Sequence, residues 1–271
     1  MTVSPGWGPT PRPPVQAGWV TPDQDVLTRV TVAGLRLVTA HAQTPAGPSA
    51  TFVSEIDGWY DTPRDLTDTI EHWTGDGVLA LLPRLGARTV RIRGHVHART
   101  PRAALEAQDA LARVRGGVLV IEERTRGVAR EADVRAVSLT FDRRTPEFLY
   151  YDLTVQADDP LRYGSAAVTL TNGAVTLTNR GDATAYPVLD LVGPHGGLSV
   201  THPGGAWTLA ALASGQSRTV DLRNGDVWAG NVRVHGLETG PAPIVPAGGA
   251  SWTVAGLGAG SARARRTEAW T

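Results

Sequence analysis

Few residues in this chain have a type and spacing suited to chemistry. His95 and His97 stand one residue apart, and two imidazoles on one strand face are a possible start of a metal site. No third ligand is evident nearby, and Arg91, Arg93 and Arg99 would repel a cation. A solvated or inter-subunit face is the expected role of this pair. Asp158-Asp159 could act as paired carboxylates, but Pro160 follows, so the reading is a turn that ends a strand. Asp65 and Asp68 are read as loop or helix-cap residues. Gly256-Leu-Gly-Ala-Gly260 has the look of a nucleotide loop, yet no helix pattern follows and the chain has no Lys. His-Glu-x-x-His and Gly-x-Ser-x-Gly are both absent, and no nucleophile faces a plausible base. No catalytic set, no metal set and no cofactor are expected.

The elements around these residues read mainly as strands. At 90–98, Val90, Ile92, Gly94 and Val96 alternate with Arg91, Arg93, His95 and His97, which puts an apolar row on one face and a basic row on the other. Residues 101–115 form the one convincing helix pattern, with Thr100 as N-cap, Pro101 at the first position, and Ala104, Ala107, Leu111 and Val114 in one stripe. Gly116-Gly117 is expected to stop it. Strands are expected at 26–38 around Gly34, at 51–56, 118–122, 134–142 and 150–157, whereas 61–89 reads as loop. After about residue 164 helical periodicity disappears. Asn172-Gly173 predicts a tight hairpin with Leu170 facing Val175, and Asn224-Gly225 predicts another with Leu222 facing Val227 and Arg223 facing Asp226. Ser261–Thr271, where Arg263, Arg265 and Arg266 alternate with Ala, reads as a last strand with one basic face.

Composition narrows the function classes. The 271 residues balance 26 basic against 26 acidic groups, which argues against a protein whose task is coating nucleic acid. All basic residues are Arg, suited to bidentate ion pairs at contacts. There is no Cys, which excludes disulfides and thiolate chemistry. No apolar run of about 18 residues exists, so no membrane span is expected. Met1 to Pro14 lacks the apolar core of a signal peptide. Three parts are expected: a Pro- and Trp-bearing arm over 1–22, a domain over 23–163, and a β-sandwich over 164–271. Eight Trp beside three Phe favour contact surfaces, because Trp combines a large apolar area with an N–H donor. Trp7, Trp19, Trp59 and Trp73, in loop-like surroundings, are the interface candidates, together with Arg91 and Arg93.

Five stretches carry a family resemblance in order. They are Arg88-Thr-Val-Arg-Ile-Arg-Gly94 with the helix behind it, Phe148 to Tyr163 with its Asp-Pro turn, Leu177 to Pro187, Ser214 to Leu222, and Val245 to Trp252. Together they resemble the distal-tail (Dit-like) proteins of siphophages and related tail-tip ring proteins. The resemblance implies a mainly β fold. Its α+β first domain would be a split β-barrel related to tail-tube proteins, with one helix, and its second a galectin-like sandwich. It also implies a structural virion protein of the tail tip, assembled in the host cytoplasm. Copies would form a ring, usually a homohexamer, that joins the tail tube protein to the tip hub or tail-associated protein. The tape measure protein is a further candidate partner, and no membrane or specific nucleic acid is expected. The basic row at 91–97 could then face DNA passing through the channel. The alternative function is a carbohydrate-binding module in which Trp207, Trp228 and Trp252 stack on sugars, which requires those rings to be exposed. A tail-tip hydrolase is a third class and needs a carboxylate pair or metal triad that the sequence does not offer.

Overall fold

The computed structural model describes residues 27–39, 47–66, 69–71, 78–80, 85–123 and 127–271. The first half contains β1 (Leu27–Val32), β2 (Leu35–Thr39), β3 (Ser49–Asp57), β4 (Thr69–Glu71), β5 (Val78–Ala80) and β6 (Arg88–Ala98). Helix α1 (Pro101–Ala112) follows, then β7 (Gly116–Glu123), β8 (Val128–Thr145) and β9 (Phe148–Ala157). The second half runs through β10 (Arg162–Gly164), β11 (Val168–Leu170), β12 (Gly173–Leu177), β13 (Val188–Val192), β14 (Leu198–His202) and β15 (Gly205–Leu209). It ends with β16 (Ser217–Asp221), β17 (Asp226–Ala229), β18 (Val232–Val234), β19 (Glu238–Thr239), β20 (Ala250–Ala255), β21 (Ser261–Arg265) and β22 (Ala269–Trp270).

The expected mainly β fold is present. Strands β8-β7-β1-β2-β3-β6-β9 lie side by side, and β9 pairs again with β8, so the sheet closes on itself. Closure is possible because β8 is long. Its first half pairs with β7 and its second half with β9. Apolar side chains of alternating residues fill the interior, among them Val90, Ile92 and Val96 of β6 and Leu149, Leu153 and Val155 of β9. The β1–β2 turn places Ala33 and Gly34 at φ 49° and 80°, the mirror-image turn that matches strand twist.

Helix α1 starts as the sequence predicts: the Thr100 hydroxyl accepts from the Ala103 N–H at 3.2 Å. The stripe residues Ala104, Ala107, Leu111 and Val114 are all buried. The helix ends at Ala112, three residues before the expected stop, because the Arg115 carbonyl accepts from the Ala136 N–H and is committed to the sheet. Gly116-Gly117 accordingly opens β7. The 61–89 region, expected as loop, holds the short β4–β5 pair and a bridge between Asp65 and Leu85.

In the second half, β11-β21-β13-β16-β17-β18 and β12-β20-β14-β15-β19 form two sheets. They share one core that includes Leu170, Leu177, Leu189, Val200, Trp207 and Trp252. Asn172-Gly173 does not close a hairpin. β11 pairs with β21 and β12 with β20, so this turn carries the chain from one sheet to the other. Leu170 and Val175 are therefore not partners. The Asn172 side chain instead accepts from the Leu257 N–H at 3.1 Å. Asn224-Gly225 does sit in a hairpin, but Val220 faces Val227 and Asp221 faces Asp226, two residues from the expected register. The slip of two leaves each apolar side chain on its expected face. Arg223 is then free to leave the strand pair, and Asp226 pairs with Arg233. The C-terminal segment, read as one last strand, holds two: β21 lies in the sandwich beside β13, and β22 returns to the first sheet beside β10.

Candidate assembly surface

The outer face of β6 is a ladder of ion pairs. Arg91 donates through Nε to both Asp152 oxygens at 2.9 Å. Arg93 donates to Glu55 at 2.6 Å and lies 3.5 Å from Asp152. β3 and β9 thus supply carboxylates on either side of the basic row. Hydrogen bonding to Asp152 raises the pKa of Arg91, and Glu55 does the same for Arg93. The Arg91 hydrogen bond likewise holds Asp152 below the ordinary carboxylate value. The basic row read from the alternation is therefore largely neutralised within the chain itself.

His95 is not a ligand-ready imidazole. Its ring stacks on Phe52 at 4.9 Å between centroids and on Phe148 at 5.2 Å, with Tyr150 edge-on. Burial, and secondarily the neighbouring His97, lower its pKa. Among the described residues no group of three His, Cys, Asp or Glu could hold a metal. The Asp158-Asp159 turn forms as expected, with Asp159 accepting from the Leu161 N–H at 3.1 Å.

The tryptophans divide. Trp59 is 0% exposed and belongs to the barrel core, so it is removed as a contact residue of the free surface. Its carbonyl accepts from Arg88 at 3.0 Å and from Arg162 at 2.9 Å. These two buried arginines fasten the loop after β3, and burial, followed by repulsion from Arg162, lowers Arg88 to about 10. Sequence reasoning missed both, because alternation says nothing about arginines at strand ends. Trp7, Trp19 and Trp73 lie outside the described residues. Trp207 and Trp252 are 2% and 0% exposed inside the sandwich core, and Trp228 is half-buried. The exposed row of rings that a sugar platform requires is therefore not formed.

A surface that the sequence did not mark lies beside the β8–β9 turn. Along 137–145, β8 pairs only with β9 among the described strands, which leaves its other edge open. Val137 and Arg144 are bulged out of register. Such bulges keep an edge from zipping onto an arbitrary strand. Next to this edge a groove is lined by Pro101, Leu105, Arg143, Arg144 and Pro146. Leu105 is 52% exposed and Tyr150 46%, large apolar areas for positions next to ordered strands. An Arg144–Tyr150 cation–π contact at 5.9 Å and an Arg143–Gln108 hydrogen bond at 2.6 Å join turn, strand and helix into one surface.

With this architecture in view, the comparisons with solved structures are decisive for the fold. Dit (gp 19.1) of phage SPP1, described as a paradigm of hub adsorption apparatus in Gram-positive infecting phages, superposes with a TM-score of 0.54 at 14% identity, covering 90% of this chain and 99% of that one. The chain has the fold of SPP1 Dit. A chain of the phage P2 baseplate in its activated conformation with Ca matches with a TM-score of 0.52 at 8% identity, covering 82% of this chain and 91% of that one. The same baseplate with Sr gives the same values. No family model and no curated protein sequence matches the chain. The Dit-type fold is thus shared without detectable sequence kinship, in keeping with five weak stretches read in order.

Proposed function

We propose that this chain is a structural subunit of a phage tail tip, a Dit-like protein whose copies form a ring between tail tube and tip. The observation that supports it most is the extent of the structural match, which takes in 99% of SPP1 Dit. Residues 23–163 would form the ring, and 164–271 would be the sandwich domain. The tail tube protein, the tip hub and the tape measure protein are the proposed neighbours, and the virion tail tip is the proposed location.

A closed ring needs two different patches on each subunit, one for each neighbour. The open edge of β8 with Leu105 and Tyr150 supplies one, since a neighbour can cover both backbone groups and apolar area there. Trp7, Trp19 and Trp73 are proposed as further anchors on sequence grounds, with the Arg91–Arg93 ladder as a polar contact. This role calls for no catalytic group. Native mass spectrometry with imaging of the purified protein tests the reading. Rings are expected. A monomer at every concentration, with no density at the tail tip, or glycan hydrolysis by the pure protein, would overturn it.

A further inference from the structure

The barrel and the sandwich have separate apolar cores. What joins them is largely polar: Arg88 donates to the Pro160 carbonyl at 2.8 Å, Arg162 donates to the Trp59 carbonyl at 2.9 Å, and the strand contact is short. β10 meets β8 through two residue pairs, Tyr163 with Glu131 and Gly164 with Arg130. One further backbone bond runs from the Ser165 N–H to the Ala129 carbonyl at 3.1 Å. The Arg130 guanidinium sits 4.4 Å from the Trp270 ring centroid. Lobes joined without a large apolar interface move relative to one another unless something specific fixes them.

Arg266 is placed to do this. It follows directly on β21 and sits at φ 58°, a left-handed backbone that a residue with a Cβ rarely adopts. Its side chain, 13% exposed, reaches across to β8. It donates to Glu131 at 2.9 Å and, with two nitrogens, to Asp133 at 2.7 and 2.8 Å. The guanidinium also lies 5.3 Å from the Tyr163 ring centroid. Tyr163 in turn donates to Asp159 at 2.7 Å and accepts from Arg223 at 2.9 Å. Arg223 pairs with Asp159 and covers the Tyr186 ring. The chain of contacts therefore runs from β8 through the connection after β9 to the β16–β17 turn.

The cavity beside this network, of about 250 Å³, is lined by Asp133, Asp158, Asp159 and Asp221. Asp133 is taken by Arg266, Asp159 by Arg223, Asp158 by Arg135, and Asp221 by the Arg223 N–H. The carboxylates serve as the fixed half of a fastener.

We propose that Arg266, clamped between Glu131 and Asp133, is the latch that sets the angle between barrel and sandwich. Two geometric facts carry this: a fork-shaped cation meets two carboxylates of the other lobe, and its backbone is held in an unfavourable conformation to do so. The proposal does not depend on ring formation.

The absence of cysteine allows a direct test. Spin labels are placed at Ala112→Cys on α1 and Val232→Cys on β18, both exposed positions of the full chain. Labelled chain is diluted with unlabelled chain, so that pulsed dipolar spectroscopy reads distances within one molecule. One narrow distance is expected for the parent. Arg266→Ala, and separately Glu131→Gln with Asp133→Asn, should broaden and shift it, while Arg135→Ala, which loses an exposed pair with Asp158 and an exposed hydrogen bond to Gln156, should not. The carboxylate double variant leaves the backbone at 266 untouched, so a folding defect in Arg266→Ala does not remove the test. Arg266→Gly eases the backbone and removes the side chain, and it should behave like Arg266→Ala. Distributions that overlay the parent for Arg266→Ala or the double variant would overturn the proposal. So would a narrow parental distance in Arg266→Gly.

Discussion

Replacing Gly94 by alanine tests the packing of the barrel at its tightest point. Gly94 lies in β6 between Val53 of β3 and Tyr151 of β9. A Cβ built there would stand 1.8 Å from the Phe52 carbonyl oxygen and 2.7 Å from the Tyr151 hydroxyl. The backbone oxygen cannot step aside without moving β3, and the bulge between Val53 and Glu55 already fixes how β3 meets β6. The Tyr151 side chain lies against the glycine, and its hydroxyl donates to that same carbonyl at 3.0 Å. Burial holds its hydroxyl protonated well beyond neutral pH. One added methyl group must therefore displace a strand and break a buried hydrogen bond. Overpacking costs about 1–3 kcal/mol and the lost bond about 1 more, so about 3 kcal/mol is expected. At roughly 2–4 °C per kcal/mol for a chain of this size class, the melting point should fall by about 6–12 °C. Tyr151→Phe, which loses only the hydroxyl, should cost about 1–2 kcal/mol. Differential scanning calorimetry of both variants checks this. A Gly94→Ala protein that melts within a degree of the parent would refute the claim that close approach explains the glycine.

Four further outcomes follow from other parts of the molecule. Leu105→Asp should abolish rings in native mass spectrometry while leaving the unfolding free energy within about 0.5 kcal/mol of the parent, as expected for an exposed site. Unchanged rings would remove this edge from the assembly surface. Burial alone would push the Asp190 pKa up, but the Arg265 hydrogen bonds outweigh it and hold the group below its ordinary 3.8. Asp190 therefore adds stability above that value, which disappears as pH falls through the lowered pKa, and Arg265→Ala should raise the carboxyl pKa measured by NMR. Among the described residues neither ring nitrogen of the buried His195 has a partner, and burial lowers its pKa below 6.5. Since the unfolded chain binds the proton first, stability should drop as pH falls below 6.5, and His195→Leu should flatten that part of a denaturation-versus-pH curve. Trp228→Ala should leave glycan-array signals unchanged, because its two proposed partners in a sugar platform are buried. A selective loss of signal would restore that function.

Patterns with a short period survived the passage from sequence to structure. The alternation at 90–98 gave the correct face to every side chain, and the Thr100-Pro101 start located α1, since both depend on geometry within one element. The errors lie where a partner outside the element decides. Asn172-Gly173 has the composition of a hairpin turn, but Leu170 and Leu177 reach the same core from opposite sheets, a solution as good for the apolar residues as a hairpin. Local turn preference does not distinguish the two. The partners of Arg91 and Arg93 were not legible because their carboxylates come from β3 and β9, 38 and 61 residues away in the case of Glu55 and Asp152. One missed residue was legible: Gly94 breaks an otherwise β-branched row, and a glycine inside a strand signals a close backbone approach.

The seam between the two cores explains why the sequence did not reveal the return of the chain. Residues 162–164 and 269–270 pair with each other at the edge of the barrel sheet, while Leu161, Tyr163 and Ala269 pack into the sandwich core. Hydrogen bonding assigns the pair to one lobe and apolar contact assigns it to the other. An element with divided allegiance carries no single periodic signature, so no reading by alternation could assign it. The same division makes it a natural pivot: two backbone pairs can flex where an apolar interface would resist, and the angle is left to charged side chains. On this argument the sandwich should tolerate the loss of Arg266 with its own core intact, whereas substitution at Leu177 or Trp252 should unfold it. Calorimetry of Trp252→Ala against Arg266→Ala separates the two, with about 3–5 kcal/mol expected for the buried tryptophan. Equal losses in both variants would mean that the latch supports the sandwich itself.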